Sequence, residues 1–391
     1  MPRNLPEESA TAMSQAPGHT PEMVAHWVKL GHWGREVLGD YLDHSAATYP
    51  EKIALIFDGK RISYAVFGRL VNRLALALVE RGIKPRDCVL LMLPNYPEYA
   101  YMHFALAKIG AICVPMVPTY GQADLEYVIE FCDAKALVIT AQYGNRDYLS
   151  MVKEILPKCP QLKHIFITGD GAPEGMIAVD TLLEEPLEER YPAGRLASLK
   201  PAGTDTLRLH LTAGTTGAPK AIVVPHNAAV CTIKCNAVGH EWGERLLNYF
   251  PIAHATGHLV GLELQVMLGR TMMMTTKPFD AHEMLRLIEA ESVTRAYMPL
   301  PYLFELKRAL ESDDELLQKY SIDSLNAISF GGVPPQRETV EYLRVKLGRP
   351  ILQTYGMGEG IVTSASIDDP PETQTYAVGR MLCDDGEIKA I

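Results

Sequence analysis

The segment from Thr212 to Lys220 places three threonines, two glycines and one lysine in one short stretch, Thr-Ala-Gly-Thr-Thr-Gly-Ala-Pro-Lys. Glycine lets a backbone approach an anion closely and direct its N–H groups toward it, while hydroxyl and ammonium groups add further donors. The candidate donors are Thr212, Gly214, Thr215, Thr216, Gly217 and Lys220. Their types and spacing are typical of a loop that binds phosphate groups.

Predicted strands flank this segment on both sides. Residues 206–211 alternate between polar and apolar types, and residues 221–224 are rich in β-branched side chains. In a Walker A loop the lysine opens a helix and is followed by Ser or Thr, whereas Ala221 follows Lys220 here. The segment therefore predicts a strand–loop–strand anion site, with a flexible hairpin that binds nothing as the alternative.

Two later segments place glycines at predicted strand ends. They are Ser-Phe-Gly-Gly-Val-Pro at 329–334 and Gln-Thr-Tyr-Gly-Met-Gly-Glu at 353–359. Tyr355 offers a flat ring and Glu359 an oxygen ligand suited to magnesium. Each segment alone is also compatible with an ordinary loop, Tyr355 with a buried strand aromatic, and Glu359 with a surface carboxylate.

The three segments, in this order, resemble the adenylate-forming superfamily of acyl-CoA and aryl-CoA synthetases, non-ribosomal peptide adenylation domains and luciferases. Residues 251–254 (Pro-Ile-Ala-His), 356–360 (Gly-Met-Gly-Glu-Gly) and 367–369 (Ile-Asp-Asp) resemble in particular the branch that activates aryl acids such as 2,3-dihydroxybenzoate and salicylate. The resemblance runs from about Trp27 to the end. It implies the large N-terminal domain of such enzymes, without the small C-terminal lid domain.

The resemblance implies a role for each matching residue. Phosphate and catalytic roles fall to Thr212, Thr215, Thr216, Lys220, His254 and Glu359, with Glu359 as the magnesium ligand. Nucleotide contacts fall to Gly214, Gly217, Gly331, Gly332, Val333, Thr354, Tyr355, Gly356, Met357 and Gly358. Acid contacts fall to His254, Ala255, Thr256, Gly257, Ser329 and Gly331. The implied co-substrates are ATP with Mg²⁺, and then coenzyme A or the phosphopantetheine of an acyl carrier protein.

The implied reaction joins a carboxylic acid to AMP, releases pyrophosphate, and then transfers the acyl group to a thiol. A carboxylate has a pKa of about 4, so at neutral pH it is a nucleophile without a general base. Ala255 replaces an Asn that recognises the 2-hydroxyl group in dihydroxybenzoate activators, and residues 256–261 are mostly small or apolar. We therefore expect a hydrophobic acid of aryl, alicyclic or polyketide- or terpenoid-like type.

Three positions depart from the family pattern: Ala213, Ala221 and Gly358. Each lacks a donor or the backbone freedom that the usual residue provides. Two alternatives therefore stay open beside the adenylating enzyme. One is a member that binds an acyl-adenylate and only forms the thioester, and the other is a non-catalytic ligand-binding module.

Composition limits the partners. The chain has 37 basic and 47 acidic residues in 391, a net charge of −10, which gives no electrostatic case for nucleic acid or an anionic membrane. Residues 1–21 lack the apolar stretch of a signal peptide or membrane helix and predict a disordered tail, so we expect a cytoplasmic protein. The seven cysteines indicate reduced core thiols, although Cys231 and Cys235 have the spacing of a metal half-site.

The elements that must position these residues alternate between strand and helix. Predicted strands cover residues 53–57, 89–93, 112–115, 136–140, 206–211, 221–224, 245–250, 295–298 and 351–354; predicted helices cover 64–81, 98–109, 124–132, 227–238, 281–291 and 338–347. The pattern predicts two packed α/β subdomains with mostly parallel sheets. We place them at about 22–190 and 201–370, the second with the phosphate loop. By the resemblance, they form a layered αβαβα arrangement, and residues 371–391 begin a small β-barrel subdomain.

Overall fold

The computed structural model describes residues 20–169, 171–192, 194–212, 220–237, 243–358 and 362–382. The chain divides into two compact units, Met1–Thr48 with Ala65–Cys231 and Tyr49–Tyr64 with Thr232–Ile391. Each unit contains its own main sheet. The predicted α/β class with mostly parallel sheets is confirmed.

The strands are β1 Ile53–Phe57, β2 Lys60–Ser63, β3 Cys88–Met92, β4 Ile112–Pro115, β5 Ala136–Thr140, β6 Gln142–Tyr143, β7 Arg146–Asp147, β8 His164–Thr168, β9 Ile177–Ala178, β10 Thr206–Thr212, β11 Lys220–Pro225, β12 Arg245–Asn248, β13 Thr271–Met274, β14 Arg295–Pro299, β15 Ala327–Gly331, β16 Ile351–Gly356, β17 Val362–Ser364 and β18 Arg380–Met381.

The α-helices are α1 Pro21–Lys29, α2 Leu38–Thr48, α3 Tyr64–Glu80, α4 Pro97–Ile109, α5 Gln122–Phe131, α6 Tyr148–Ile155, α7 Val179–Glu184, α8 Leu187–Arg190, α9 His226–Ala237, α10 Leu264–Met267, α11 Ala281–Glu291, α12 Leu300–Ser312, α13 Arg337–Leu347 and α14 Pro371–Tyr376. A π-helix covers Gly257–Glu263 and leads into α10. No described helix has both the length and the apolar character needed to cross a membrane.

The first unit is built on a seven-stranded sheet in the order β11-β10-β4-β3-β5-β8-β9. Strands β3, β4 and β5 are buried along their whole length, as their continuous apolar sequences predict for a parallel sheet. Strand β10 runs parallel to β4, and β11 returns antiparallel to β10 at the edge.

The second unit is built on a nine-stranded sheet in the order β18-β17-β16-β15-β14-β12-β13-β1-β2. The six strands from β16 to β1 in this order pair in parallel, while β17 is antiparallel to β16 and β2 is antiparallel to β1. Helices α11, α12 and α13 bury Met284, Leu303 and Leu343 against Ile328 and Phe330 of β15. The opposite face of β15 points away from these helices. The carboxyl ends of the parallel strands lie at one edge of the sheet, and open α/β sheets bind ligands at that edge.

The two units do not match the two continuous subdomains that the sequence predicted. Strands β10 and β11 pair into the first sheet, although the sequence grouped residues 201–370 as one subdomain. The β1–β2 hairpin lies in the second unit because β1 pairs with β13, more than 200 residues away along the chain. Pairing between distant strands is not encoded in the local patterns from which boundaries were predicted.

Residues 1–19 of the predicted tail, Cys383 and residues 383–391 lie outside the described residues. Helix α1 begins at Pro21, where the Thr20 side chain accepts a hydrogen bond from the Met23 N–H group at 3.3 Å. Cys88 is a buried thiol whose pKa burial raises to about 12, which fits a core role.

Candidate active site

The β10–β11 hairpin of the first unit brings Thr212 and Lys220 opposite each other. In the antiparallel register Leu211 pairs with Ala221 and Thr212 pairs with Lys220. Lys220 is exposed and Thr212 is half-buried. The strand–loop–strand context is confirmed, while the loop residues Gly214, Thr215, Thr216 and Gly217 lie outside the described residues.

A buried basic pair lies on β10 just before the loop. The Arg208 Nε–H donates a hydrogen bond to His210 Nε2 at 2.9 Å, and both side chains are buried. A guanidinium group remains charged in proteins. Arg208 therefore adds positive charge inside the unit that carries the predicted phosphate loop. This pair was not predicted from sequence, although polar residues at alternate positions of a strand were the available signal.

In the second unit, Ser329 and Gly331 lie on one face of β15, opposite the core face occupied by Ile328 and Phe330. The register places Ser329 beside Tyr297 of β14. Ser329 is fully buried, and among the described residues its hydroxyl has no hydrogen-bond partner. A buried, unsatisfied hydroxyl fits the predicted contact with a polar ligand atom.

Thr354 is held by the sheet itself. Its hydroxyl donates a hydrogen bond to the Phe330 carbonyl at 3.1 Å, so at 3.2 Å the Tyr297 hydroxyl is the donor toward Thr354. Gly331 pairs with Thr354, and a Cβ atom on Gly331 would lie 2.8 Å from the Thr354 Oγ1 atom. The glycine is therefore required by a close approach between β15 and β16.

Apolar side chains are exposed where β15 and β16 end. Val333 is 59 % exposed, Tyr355 43 % and Met357 41 %. Gly332, which precedes Val333, has a φ angle of 114°, a region that favours glycine. Their exposure is compatible with the predicted nucleotide contacts, and the exposed ring of Tyr355 excludes the alternative of a buried strand aromatic. Gly356 and Gly358 lie on either side of Met357, and Glu359 lies outside the described residues.

His254 lies in the segment that follows β12. Its backbone N–H donates a hydrogen bond to the Pro251 carbonyl at 3.0 Å, and its Nδ1 atom accepts one from the Thr256 N–H at 3.3 Å. His254 is an exposed residue, but partial desolvation of its ring lowers its pKa below the ordinary value. The neutral ring therefore carries its proton on Nε2, because Nδ1 is an acceptor.

The ring of Phe250 links His254 to the face of β15. The ring centroids of Phe250 and His254 are 6.4 Å apart at an interplanar angle of 27°, and those of Phe250 and Tyr297 are 4.6 Å apart. The Phe250 Cζ atom lies 3.8 Å from the position of a Cβ on Gly331. Phe250 thus lies between His254 and the Gly331 position in the second unit, and the role of His254, Ser329 and Gly331 in an acid site stays a prediction.

The π-helix that follows His254 was not predicted. Ala255 and Thr256 are half-buried before it, and Gly257 begins it as a buried residue. His258 and Glu263 are both fully buried, with the His258 Nε2 atom 3.8 Å from a Glu263 carboxylate oxygen. Residues five apart point about 140° apart in an α-helix but approach each other in a turn with i→i+5 bonds. The close approach of His258 and Glu263 therefore fits the π-helical geometry.

Comparison with known proteins agrees with these features. The family model described as AMP-binding enzyme matches residues 42–390. The chain is 27 % identical to 2,3-dihydroxybenzoate-AMP ligase of Bacillus subtilis (strain 168), over 95 % of this chain and 67 % of that protein. It is 28 % identical to 2-hydroxy-7-methoxy-5-methyl-1-naphthoate–CoA ligase of Streptomyces carzinostaticus, over 97 % of this chain and 69 % of that protein.

Among solved structures, the chain is similar to apo MbtA of Mycobacterium smegmatis, with a TM-score of 0.82 and 26 % identity over 96 % of this chain and 67 % of that one. The chain thus spans about two thirds of the length of these relatives. The predicted resemblance, the α/β class and the assignment as an acid-activating ligase are confirmed. A match across residues 42–390 shows that this chain belongs to the AMP-binding enzyme family.

Proposed function

We propose that this chain activates a hydrophobic, aryl-type carboxylic acid as its acyl-adenylate and that the acid's carboxylate lies beside His254. The observation that carries the proposal is the hydrogen bond from the Thr256 N–H to His254 Nδ1, which leaves Nε2 to bear the proton in the neutral ring. Such a ring donates one hydrogen bond to a carboxylate oxygen without transferring a proton to it. It orients the carboxylate and leaves it charged, which the reaction requires.

In the reaction, one carboxylate oxygen attacks the α-phosphorus atom of ATP. A new oxygen–phosphorus bond forms, the bond from the α-phosphorus to the bridging oxygen breaks, and that oxygen leaves with pyrophosphate. No proton is removed from the nucleophile, so the step depends on aligning two anions and stabilising phosphoryl charge. We assign that stabilisation to Lys220 and Thr212, which face each other where the phosphate loop begins.

The nucleotide end is assigned to the exposed surface where β15 and β16 end. Tyr355 presents an exposed aromatic ring there, and Gly332 is exposed at the end of β15. Aromatic rings stack favourably on flat partners such as a nucleobase. Magnesium is assigned to Glu359, and a carboxylate is a suitable ligand for that ion.

The preference for an aryl-type acid rests on the small residues after His254 and on the relatives. Ala255, Thr256 and Gly257 are small and carry only one side-chain hydroxyl among them. The named substrates of the two relatives, a dihydroxybenzoate and a substituted naphthoate, are both aromatic acids. Coenzyme A or the phosphopantetheine of an acyl carrier protein is the thiol acceptor that we propose for the second step, in a protein that works in the cytoplasm.

The test is pyrophosphate exchange into ATP, measured with a panel of benzoates, naphthoates, alicyclic acids and short aliphatic acids. We expect exchange that depends on one group of bulky acids and not on acetate. Thioester formation from a supplied acyl-adenylate, without any exchange from ATP, would instead indicate a thioester-forming member. Binding of ATP and acid without turnover would indicate a ligand-binding module, and either result would overturn the proposal.

A further inference from the structure

We propose that Asn248 is a positioning residue for His254, and that Gly261 is kept without a side chain so that Asn248 can act in this way. The inference rests on the proposed function, because it concerns the histidine assigned to the acid's carboxylate. Asn248 lies in none of the segments by which the family was recognised. It ends β12, at the carboxyl edge of the second sheet, and is fully buried.

The Asn248 amide holds the backbone of Phe250 from both sides. Its Nδ2 atom donates a hydrogen bond to the Phe250 carbonyl at 2.9 Å, and its Oδ1 atom accepts one from the Phe250 N–H at 3.3 Å. This reciprocal pair needs one donor and one acceptor at the end of a short side chain. Aspartate offers only acceptors when ionised, and alanine offers neither.

The other side of the same amide lies against Gly261 in the π-helix. A Cβ atom on Gly261 would be 2.8 Å from Asn248 Nδ2 and 2.9 Å from its Cγ atom. Real Cβ atoms do not approach this closely, and a short buried amide held by two hydrogen bonds cannot move aside cheaply. Gly261 therefore allows the π-helix to pack directly on the Asn248 side chain.

Gly257 makes a second close approach on the same segment. A Cβ atom there would lie 2.1 Å from the Pro251 carbonyl oxygen, the same oxygen that accepts the His254 N–H at 3.0 Å. The segment from Phe250 to Gly257 is thus fixed at its start by Asn248 and at its end by the π-helix. His254 lies between these two points.

The fixed conformation of this segment determines which ring nitrogen of His254 carries the proton. The Thr256 N–H reaches His254 Nδ1 at 3.3 Å only while residues 251–257 keep this conformation. When Asn248 no longer holds Phe250, the segment can relax, the bond to Nδ1 weakens, and the proton divides between Nδ1 and Nε2. The donor directed at the carboxylate is then lost for part of the population.

The decisive experiment reads this tautomer directly, by ¹⁵N NMR of His254 in the ligand-free full chain, for the parent and for Asn248→Ala. The matched control is Thr271→Val. Thr271 is also buried in the second sheet, at the start of β13, and its hydroxyl donates to the Ile53 carbonyl at 2.6 Å. Both variants lose side-chain hydrogen bonds to backbone groups, but only Asn248 contacts the segment that carries His254.

We expect Nε2–H in the parent and in Thr271→Val, and a mixture of both tautomers in Asn248→Ala. With benzoate as the probe, we expect about tenfold weaker binding for Asn248→Ala, with ATP binding within about twofold of the parent. An unchanged tautomer in a folded Asn248→Ala protein would overturn the inference. This readout uses no substrate, so a failure of acid-dependent exchange in the parent would count against the proposed function and not against the positioning role.

A double-mutant comparison separates positioning from general damage and also covers poor folding of Asn248→Ala. Gly261→Ala alone places its Cβ against the Asn248 amide, so we expect it to disturb the same tautomer. In the Asn248→Ala background that amide is absent, and the added methyl group has space. We therefore expect the double variant to resemble Asn248→Ala, with non-additive effects. A parent-like tautomer in Gly261→Ala, or fully additive effects on benzoate binding, would contradict the proposal.

Discussion

Lys220 stands opposite Thr212 at the position where β10 and β11 separate. Lys220 is exposed, so an anion can reach it from solvent. Arg208, which lies four residues before Thr212 on β10, adds a buried positive charge. A single lysine at the mouth of the loop is therefore the simplest candidate for stabilising the charge that leaves with pyrophosphate.

We predict that Lys220→Ala slows acid-dependent pyrophosphate exchange by roughly 10- to 1000-fold, because the variant loses charge beside the phosphates. The control is Lys163→Ala, which removes an exposed lysine from the same unit. We expect that control to keep the parent rate. Exchange by Lys220→Ala within about twofold of the parent would remove Lys220 from the mechanism.

Ala255 offers a test of substrate choice. We predict that Ala255→Asn improves the specificity constant for salicylate relative to benzoate by about tenfold, because the amide supplies a partner for the 2-hydroxyl group. The measurement compares both acids in the parent and in the variant. Ala255→Leu, which adds similar volume without polar atoms, is the control. An equal change for both acids would show that the hydroxyl group is not near residue 255.

At the scale of elements, the contact between β15 and β16 fixes the floor of the proposed nucleotide surface. We predict that Gly331→Ala lowers stability by about 1–3 kcal/mol, because its Cβ would lie 2.8 Å from the Thr354 hydroxyl. The same change is expected to raise the KM for ATP more than the KM for the acid. Chemical denaturation and steady-state exchange check the two parts.

Thr354, whose hydroxyl would clash with the new methyl group, supplies the control. Gly331→Ala combined with Thr354→Ala removes the hydroxyl that the new methyl group meets, so part of the lost stability should return relative to the two single changes. If the double variant loses the simple sum of the two single effects, the close contact is not the cause.

The strands and helices that carry the recognised segments could be predicted from sequence, since each has a strong local pattern. Strand β5 is a continuous apolar run, and α3 shows the spacing of an amphipathic helix. The π-helix at Gly257–Glu263 could not be predicted in this way. Its geometry depends on contacts with Asn248 and Pro251, which are set by tertiary packing and leave no periodic signal.

The same reasoning applies to individual site residues. His254, Ser329 and Gly331 were found because they lie in segments with recognisable residue types. Asn248 was missed because a single asparagine at a strand end is ordinary in sequence, and only its two bonds to Phe250 distinguish it. Residues proposed to contact a ligand were therefore easier to predict than the residue proposed to orient one of them.

At the scale of the whole molecule, each unit has its own sheet and buries its own apolar side chains. In the first unit, α9 begins at His226, which is fully buried, and its Nδ1 atom accepts a hydrogen bond from the Leu38 N–H at 3.2 Å. Burial, with further contributions from His103 and Arg208, lowers the pKa of His226 to about 3. The folded chain therefore keeps this ring neutral at pH values where an unfolded chain protonates it.

This difference gives stability a defined dependence on pH. An unfolded histidine has a pKa of about 6.5, so between pH 6.5 and about 3 the unfolded state binds more protons, and stability falls as the pH falls. The contribution of His226 is complete above pH 6.5. We predict that it costs about 2 kcal/mol of unfolding free energy between pH 6.5 and 5, from about 1.4 kcal/mol per pH unit. The variant His226→Asn keeps a carbonyl acceptor for Leu38 and should lose this part of the slope.

Urea unfolding at pH 7 and pH 5 checks the prediction, with His44→Asn as the control, since His44 is an exposed histidine of α2 in the same unit. The parent and His44→Asn should lose similar stability on acidification, while His226→Asn should lose about 2 kcal/mol less. A parallel loss in all three proteins would mean that other groups account for the acid sensitivity, and that His226 takes up its proton in the folded state as readily as in the unfolded one.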